Sequence, residues 1–288
     1  MDMFVFCTLL IMLVFALMFY KAYKNTKQVV MNHVYLSLQI NQPKMFSLRI
    51  LHISDLHLER ISITPWQLNE KLKHQPIDII ALTGDFLDRK RTIPKLISYL
   101  YVLRKLDPTY GMYAVFGNHD YVLGKKHFQT LKKTLEEHGC RTLQNECEAI
   151  DVDGQPLNII GIDDYSTNRS DISASYAGVK DGVKLVLTHD PNIVLEMRDV
   201  DYDYLLSGHF HGGQIHWPKP YHLIKMGKLV RMNMVKGLHL YHGKHFYISE
   251  GLGQTGMNIR VGSRPEITIH RLAFSRHKKS HENTLSAM

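Results

Sequence analysis

Ile77-Asp78-Ile79-Ile80-Ala81-Leu82-Thr83-Gly84-Asp85 is the stretch that decides the fold. A short apolar run stops at a glycine followed by a carboxylate, as in a buried strand whose carboxyl end opens into a polar loop. The pattern recurs along the chain. Residues 47–53 run into Ser54-Asp55-Leu56-His57, and residues 111–116 run into Gly117-Asn118-His119-Asp120. Residues 183–188 then lead to His189-Asp190, and residues 202–207 to Gly208-His209-Phe210-His211. A further run at 157–162 ends in Asp163-Asp164, which reads as a structural pair. Helical patterns at 95–106 and 128–137 separate these runs, residues 34–40 alternate as a half-buried strand, and Asp151-Val152-Asp153-Gly154-Gln155 is a hairpin turn. Alternating strands and helices predict an α/β sandwich with central sheets, with functional groups at the carboxyl ends of the strands. No internal repeat or interdomain linker interrupts the pattern, so one catalytic domain is expected.

The chemistry of the loop clusters is that of metal ligands. Asp, His and Asn together suit divalent transition metals, and the absence of thiolates among them argues for an open catalytic site over a closed structural zinc site. The chain has 18 histidines and only 3 cysteines, too few for a secreted disulfide framework. Its 35 Lys+Arg against 27 Asp+Glu give +8, a balance that favours phosphates, nucleic acid or anionic lipid as partners. With 44% hydrophobic and 22% charged residues, the composition excludes a disordered or collagen-like polymer.

Residues 3–20 carry no charge, and eighteen residues in a helix span about 27 Å, near the thickness of a bilayer's hydrocarbon core. No basic stretch precedes the run and no small-x-small cleavage pattern follows before Lys21, so it reads as a retained transmembrane anchor and not as a signal peptide. Lys21, Lys24 and Lys27 follow it, which places the catalytic domain in the cytoplasm. The expected divisions are an anchor with its basic flank at 1–27, a linker and first strand at 28–46, the catalytic domain at 47–273 and a basic tail at 274–288. Within this scheme residues 21–32 read as a polar-basic linker. Between Asp203 and Glu250 lie 46 residues without Asp or Glu, including the lysine- and aromatic-bearing stretch 217–235. That stretch is either a rim facing an anionic surface or a loop packed on the domain.

As a set, Asp55-x-His57, Gly84-Asp85-x-x-Asp88, Gly117-Asn118-His119-Asp120, His189 and Gly208-His209-x-His211 resemble, in order, the blocks of the calcineurin-like metallophosphoesterases. The segment Ser207-Gly208-His209-Phe210-His211-Gly212-Gly213-Gln214, with Gly251-Leu252-Gly253 and Arg264-Pro265-Glu266-Ile267, is similar to a bacterial, often membrane-associated branch. Pyrophosphatases of UDP-2,3-diacylglucosamine lie near that branch. The resemblance implies a four-layer α/β/β/α sandwich and two divalent ions, Mn²⁺ foremost, with Fe, Zn or Mg as alternatives. Asp55, His57 and His211 would hold the first ion, Asn118, His189 and His209 the second, and Asp85 would bridge them. A hydroxide between the ions would attack phosphorus. His119 would stabilise charge or protonate the leaving oxygen, with Asp88 or Asp120 fixing its tautomer.

The implied activity is hydrolysis of a phosphodiester or pyrophosphate bond, in a lipid-linked substrate if the anchor decides. A nuclease or cyclic-nucleotide phosphodiesterase is the alternative, since the charge does not exclude nucleic acid. A non-catalytic scaffold ranks lowest because no ligand is missing. No protein partner is implied.

Overall fold

The computed structural model describes residues 3–40 and 46–276. Among them, strands run in the order β1 (Val30–Ile40), β2 (Phe46–Ile53), β3 (Ile79–Thr83), β4 (Met112–Val115), β5 (Cys140–Thr142) and β6 (Glu146–Val152). There follow β7 (Gln155–Gly161), β8 (Val183–Leu187), β9 (Tyr204–Ser207), β10 (Gly237–Tyr241), β11 (Lys244–Ile248) and β12 (Glu266–Arg276). Two six-stranded sheets result, ordered β1-β12-β2-β3-β4-β5 and β10-β11-β9-β8-β7-β6. Strands β2 to β5 are mutually parallel, as are β7, β8 and β9. The predicted turn at Asp153-Gly154 joins β6 to β7 with Val152 opposite Gln155, and both turn residues have positive φ, as a two-residue hairpin of matching twist requires.

The alternation of side chains in these strands builds the layers. In β3, Ile80 and Leu82 face a core shared with the helices α2 (Pro65–Leu72), α3 (Ile93–Arg104) and α5 (Lys125–Glu137), the last of which follows the short α4 (Asn118–Val122). Ile79 and Ala81, one residue out of phase, face a second core between the sheets, against Ile159, Leu185 and Leu187. Val186 and Leu205 turn to the far side of the second sheet, under Ile193, Leu229 and Val230. This is a four-layer sandwich.

One sequence expectation changes here. Residues 21–32 are not a linker: helix α1 spans Met3–Asn25, and β1 begins five residues later at Val30. The lysines of this segment suggest solvent, yet they share a helix with residues that do not. Ala22 and Asn25 are buried against the domain, where Ala22 O accepts from Arg260 N (2.9 Å) and Asn25 Nδ2 donates to Arg260 O (2.7 Å). One free carbonyl of the helix's last turn, that of Ala22, thus finds a partner in the domain backbone. The rest of α1 is exposed, with mean hydropathy 2.6 over its most apolar window, and is long enough to cross a membrane. Stretch 217–235 packs: Leu223, Leu229, Val230 and Val235 are buried in the outer core, while Trp217, Ile224 and Met232 stay exposed. The expected basic tail at 274–288 is strand up to Arg276, and beyond that lies outside the described residues, as do 41–45.

Candidate active site

Each candidate ligand sits in the first residues beyond a strand. Asp55 and His57 follow β2, Asp85 follows β3, Asn118 and His119 begin α4 after β4, His189 follows β8, and His209 and His211 follow β9. The loops are tight, and Asp55, His57, Asp85, His209 and His211 all have positive φ, a conformation non-glycine residues adopt at a cost of roughly 1–3 kcal/mol each. Two glycines make room for them. At Gly84 (φ 84°) a Cβ would lie 2.5 Å from Gly117 N, and at Gly208 it would lie 2.2 Å from Asp55 Oδ2.

The ligands converge in two groups. Donor atoms of Asp55, His57 and His211 lie within 4.8 Å of one another, as do those of Asp85, His189 and His209. Asp85 Oδ2 stands between them, 3.5 Å from His57 Nε2 and 3.2 Å from His189 Nε2. His211 Nε2 is 3.4 Å from Asp55 Oδ1, and His209 Nδ1 is 3.2 Å from His189 Nε2.

The surrounding hydrogen bonds aim these lone pairs inward. His189 Nδ1 donates to Thr83 O (2.7 Å), and His57 Nδ1 donates to Asp88 Oδ1 (2.8 Å), so each ring presents Nε2 to Asp85. Burial pushes His211 down to about 3 and keeps its ring neutral. His57 Nε2, 3.5 Å from Asp85 Oδ2, and Asn118 Oδ1, on the loop after β4, are buried without a hydrogen-bond partner. Buried polar atoms are ordinarily satisfied, so orphaned acceptors in loops that carry two His/Asp groups fit divalent cations.

His119 stands apart from this set, with a third of its side chain exposed at the site's edge. Its Nδ1 lies 2.9 Å from Asp88 Oδ1, the atom that also holds His57. The bond to Asp88, working against burial and aided by Asp85, raises His119 to about 9. It is an imidazolium at neutral pH.

Asp120 does not compete for His119. Its carboxylate accepts from Gly117 N, Asp85 N and Phe86 N, each at 2.9 Å, and so clamps the two ligand loops together. Burial first, and the charge of Asp85 second, push it up to about 7. Asp163 accepts from the Tyr121 hydroxyl and Asp164 Oδ2 from Thr167 N, both structural, while Asp190 caps the turn at Pro191–Leu195.

Arg260 is a site residue the sequence does not reveal. Fully buried, it donates to the carbonyls of Glu250, Gly251, Gly253 and Arg264 and to His211 O, while Ser263 Oγ also donates to His211 O. Burial lowers it only to about 10, so it stays charged and fixes the loop carrying His211. No spacing or neighbouring motif marks it; a lone arginine in a loop reads as surface.

Residues 48–213 match the family model of the calcineurin-like phosphoesterases. The chain belongs to the calcineurin-like phosphoesterase family. Its members hydrolyse phosphoester bonds and bind two divalent metals, and the two His/Asp groups here are able to hold them. This phosphoesterase is 65% identical to the uncharacterized metallophosphoesterase YkoQ of Bacillus subtilis, over 94% of this chain and all of that one. It is 29% identical to the phosphodiesterase YaeI of Escherichia coli, over 78% of this chain and 82% of the relative. It is also 25% identical to the UDP-2,3-diacylglucosamine pyrophosphatase LpxG of Chlamydia trachomatis, over 81% of this chain and 87% of the relative.

Proposed function

We propose that this phosphoesterase is membrane-anchored and hydrolyses a phosphodiester or pyrophosphate bond, in a lipid-linked substrate, with Mn²⁺ as its metal. Asp55, His57 and His211 hold one ion, Asn118, His189 and His209 the other, and Asp85 both. One observation carries the reading: a single buried oxygen, Asp85 Oδ2, lies between two imidazole lone pairs, with a protonated histidine on the exposed side. When bound, the cations supply Lewis-acid charge to the phosphoryl oxygens and a nucleophile from water at neutral pH.

The remaining work belongs to side chains. Asp85 keeps its negative charge between the two groups, offsetting repulsion between ions. Asp88 presents one oxygen to two rings, fixing the tautomer of His57 and holding a proton on His119. His119 is free at Nε2 to meet a phosphoryl oxygen and to hand its proton to the leaving oxygen, after which Asp88 leaves the neutral ring in register. The lipid reading is supported by α1, exposed and apolar for a membrane's thickness, and by the relative that acts on UDP-2,3-diacylglucosamine. Lys21, Lys24 and Lys27 orient the catalytic domain to the cytoplasm.

The test is hydrolysis of bis(p-nitrophenyl) phosphate by the full chain in detergent, metal-stripped and then supplied with Mn²⁺, beside Asp85→Asn. Mn²⁺-dependent turnover that disappears in the variant is expected; equal turnover by both proteins would refute the assignment of Asp85. Comparing a diacylated nucleotide-sugar pyrophosphate with its deacylated form tests the substrate class. No preference for the acylated form would refute the lipid reading.

A further inference from the structure

Where α1 leaves the span and meets the domain, the two enclose a cavity of about 580 Å³. Its helix wall includes Phe15 and Phe19, and its domain wall includes Trp217 and Val261. Two cations, Lys21 and Arg264, also line it. The helical spacing of Phe15, Phe19, Ala22 and Asn25 turns one face of α1 toward the domain, with the last two buried as pins and the first two flanking the opening. Trp217 is 71% exposed here, although an indole is more often covered. Among the described residues neither Lys21 nor Arg264 forms an ion pair, and of Arg264's guanidinium only Nη1 has a partner, Ser263 O (3.0 Å).

We propose that this cavity binds one anionic phospholipid, its phosphate against Lys21 and Arg264 and an acyl chain along Phe15, Phe19 and Trp217. The proposal rests on α1 lying in a bilayer. Chemistry and position agree: an apolar trough continuous with the hydrocarbon-spanning face of the helix ends in two unpaired cations, Lys21 at the first residue beyond the span and Arg264 on the domain wall. A tryptophan beside the mouth suits the interface, and a phosphate there is within the reach of a bidentate guanidinium. Zwitterionic lipid would leave the cations without a net counter-charge. The cavity also adjoins the catalytic loops through one residue. Arg260 N bonds to the helix at Ala22 O, while its guanidinium holds His211 O.

The full chain carrying Trp66→Phe keeps Trp217 as its one tryptophan and reports on this site. It is reconstituted in phosphatidylcholine vesicles containing phosphatidylglycerol, with bromine on the acyl chains of either lipid at equal mole fraction. Brominated phosphatidylglycerol is expected to quench Trp217 as if locally enriched roughly 30-fold, from two cations at about 1 kcal/mol each. Adding Lys21→Gln and Arg264→Gln should remove the headgroup preference, whereas Lys24→Gln, on the same helix end but outside the cavity, should keep it. Equal quenching by both lipids would overturn the proposal and leave the anchor standing. Loss of preference in Lys24→Gln as complete as in the double variant would reduce it to general surface charge, and so overturn it. Quenching by neither lipid would mean that the anchor reading itself is wrong.

Discussion

Two imidazoles leaning on one carboxylate oxygen make Asp88→Asn the most informative substitution in the site. The amide oxygen still accepts a hydrogen bond in place of Asp88 Oδ1, so the His57 ring keeps its tautomer and the ligand set stays in place. What disappears is the charge. In the native protein His119 is raised to about 9, with the bond to Asp88 as the leading cause. A raised histidine is protonated below its folded pKa and loses its proton as pH climbs through it. At pH 8 a group with a pKa of about 9 is roughly 90% protonated, whereas one at the ordinary value of about 6.5 is roughly 3% protonated. At pH 6 both are mostly protonated, at roughly 99.9% and 76%. If the imidazolium is the competent form, the ratio of native to variant kcat should be about 30 at pH 8 and fall to about 1.3 at pH 6. The alkaline limb of the pH–rate profile should move from near 9 toward 6.5. The assay is a pH series on the chromogenic diester at saturating Mn²⁺, with metal content measured in parallel. A ratio that stays the same from pH 6 to pH 8 would refute the argument that Asp88 works by keeping His119 charged.

Other substitutions separate binding from chemistry. Asp85→Asn should lose both ions together by metal analysis, whereas His119→Ala should keep its metal and lose turnover by about 10²–10⁴-fold. Gly208→Ala places a methyl group 2.2 Å from Asp55 Oδ2 and should cost about 1–3 kcal/mol, seen as a lower Tm together with reduced metal content. A normal metal content there would show that the loop yields easily. Arg260→Met leaves the carbonyls of Glu250, Gly251 and Gly253 without their donor in a buried place and should destabilise by about 3–5 kcal/mol in urea unfolding. The same variant should also reduce turnover, because His211 O loses a partner; native-like stability would refute the bracing role.

The layers of the fold were legible because a short, continuous apolar run is a direct trace of a strand buried on both faces, as in 79–83. The candidate ligands, whose side chains converge in the fold, were legible for a related reason. A strand's end is marked by the change from apolar to polar residues, and metal chemistry restricts what stands there to Asp, His and Asn. The contact between His119 and Asp88 was named only as one of two alternatives that the resemblance implies, because the two residues stand on different loops and only the fold brings them within 2.9 Å. Asp120 was harder, since spacing alone allowed it to serve His119. Its actual partners are backbone N–H groups, which every residue carries and no pattern marks. Arg260 was hidden for the same reason, as it is held almost entirely by carbonyls. The end of α1 was misread because a lysine-bearing turn of helix can hide one face and wet the other, and only the docking surface decides which.

The first sheet places β12 between β1 and β2, with Leu272 opposite both Leu36 and Leu48. During synthesis, therefore, β2, the strand that delivers Asp55 and His57, waits for a neighbour that the ribosome makes more than two hundred residues later. An apolar N-terminal helix emerges at the opposite end of that interval. On the proposed anchored reading, the chain meets the membrane while its first sheet still has an open edge, and its candidate metal ligands come together only as translation draws to a close. Nascent chains stopped before residue 266 should expose that edge, making them substrates for chaperones or for aggregation at the membrane surface.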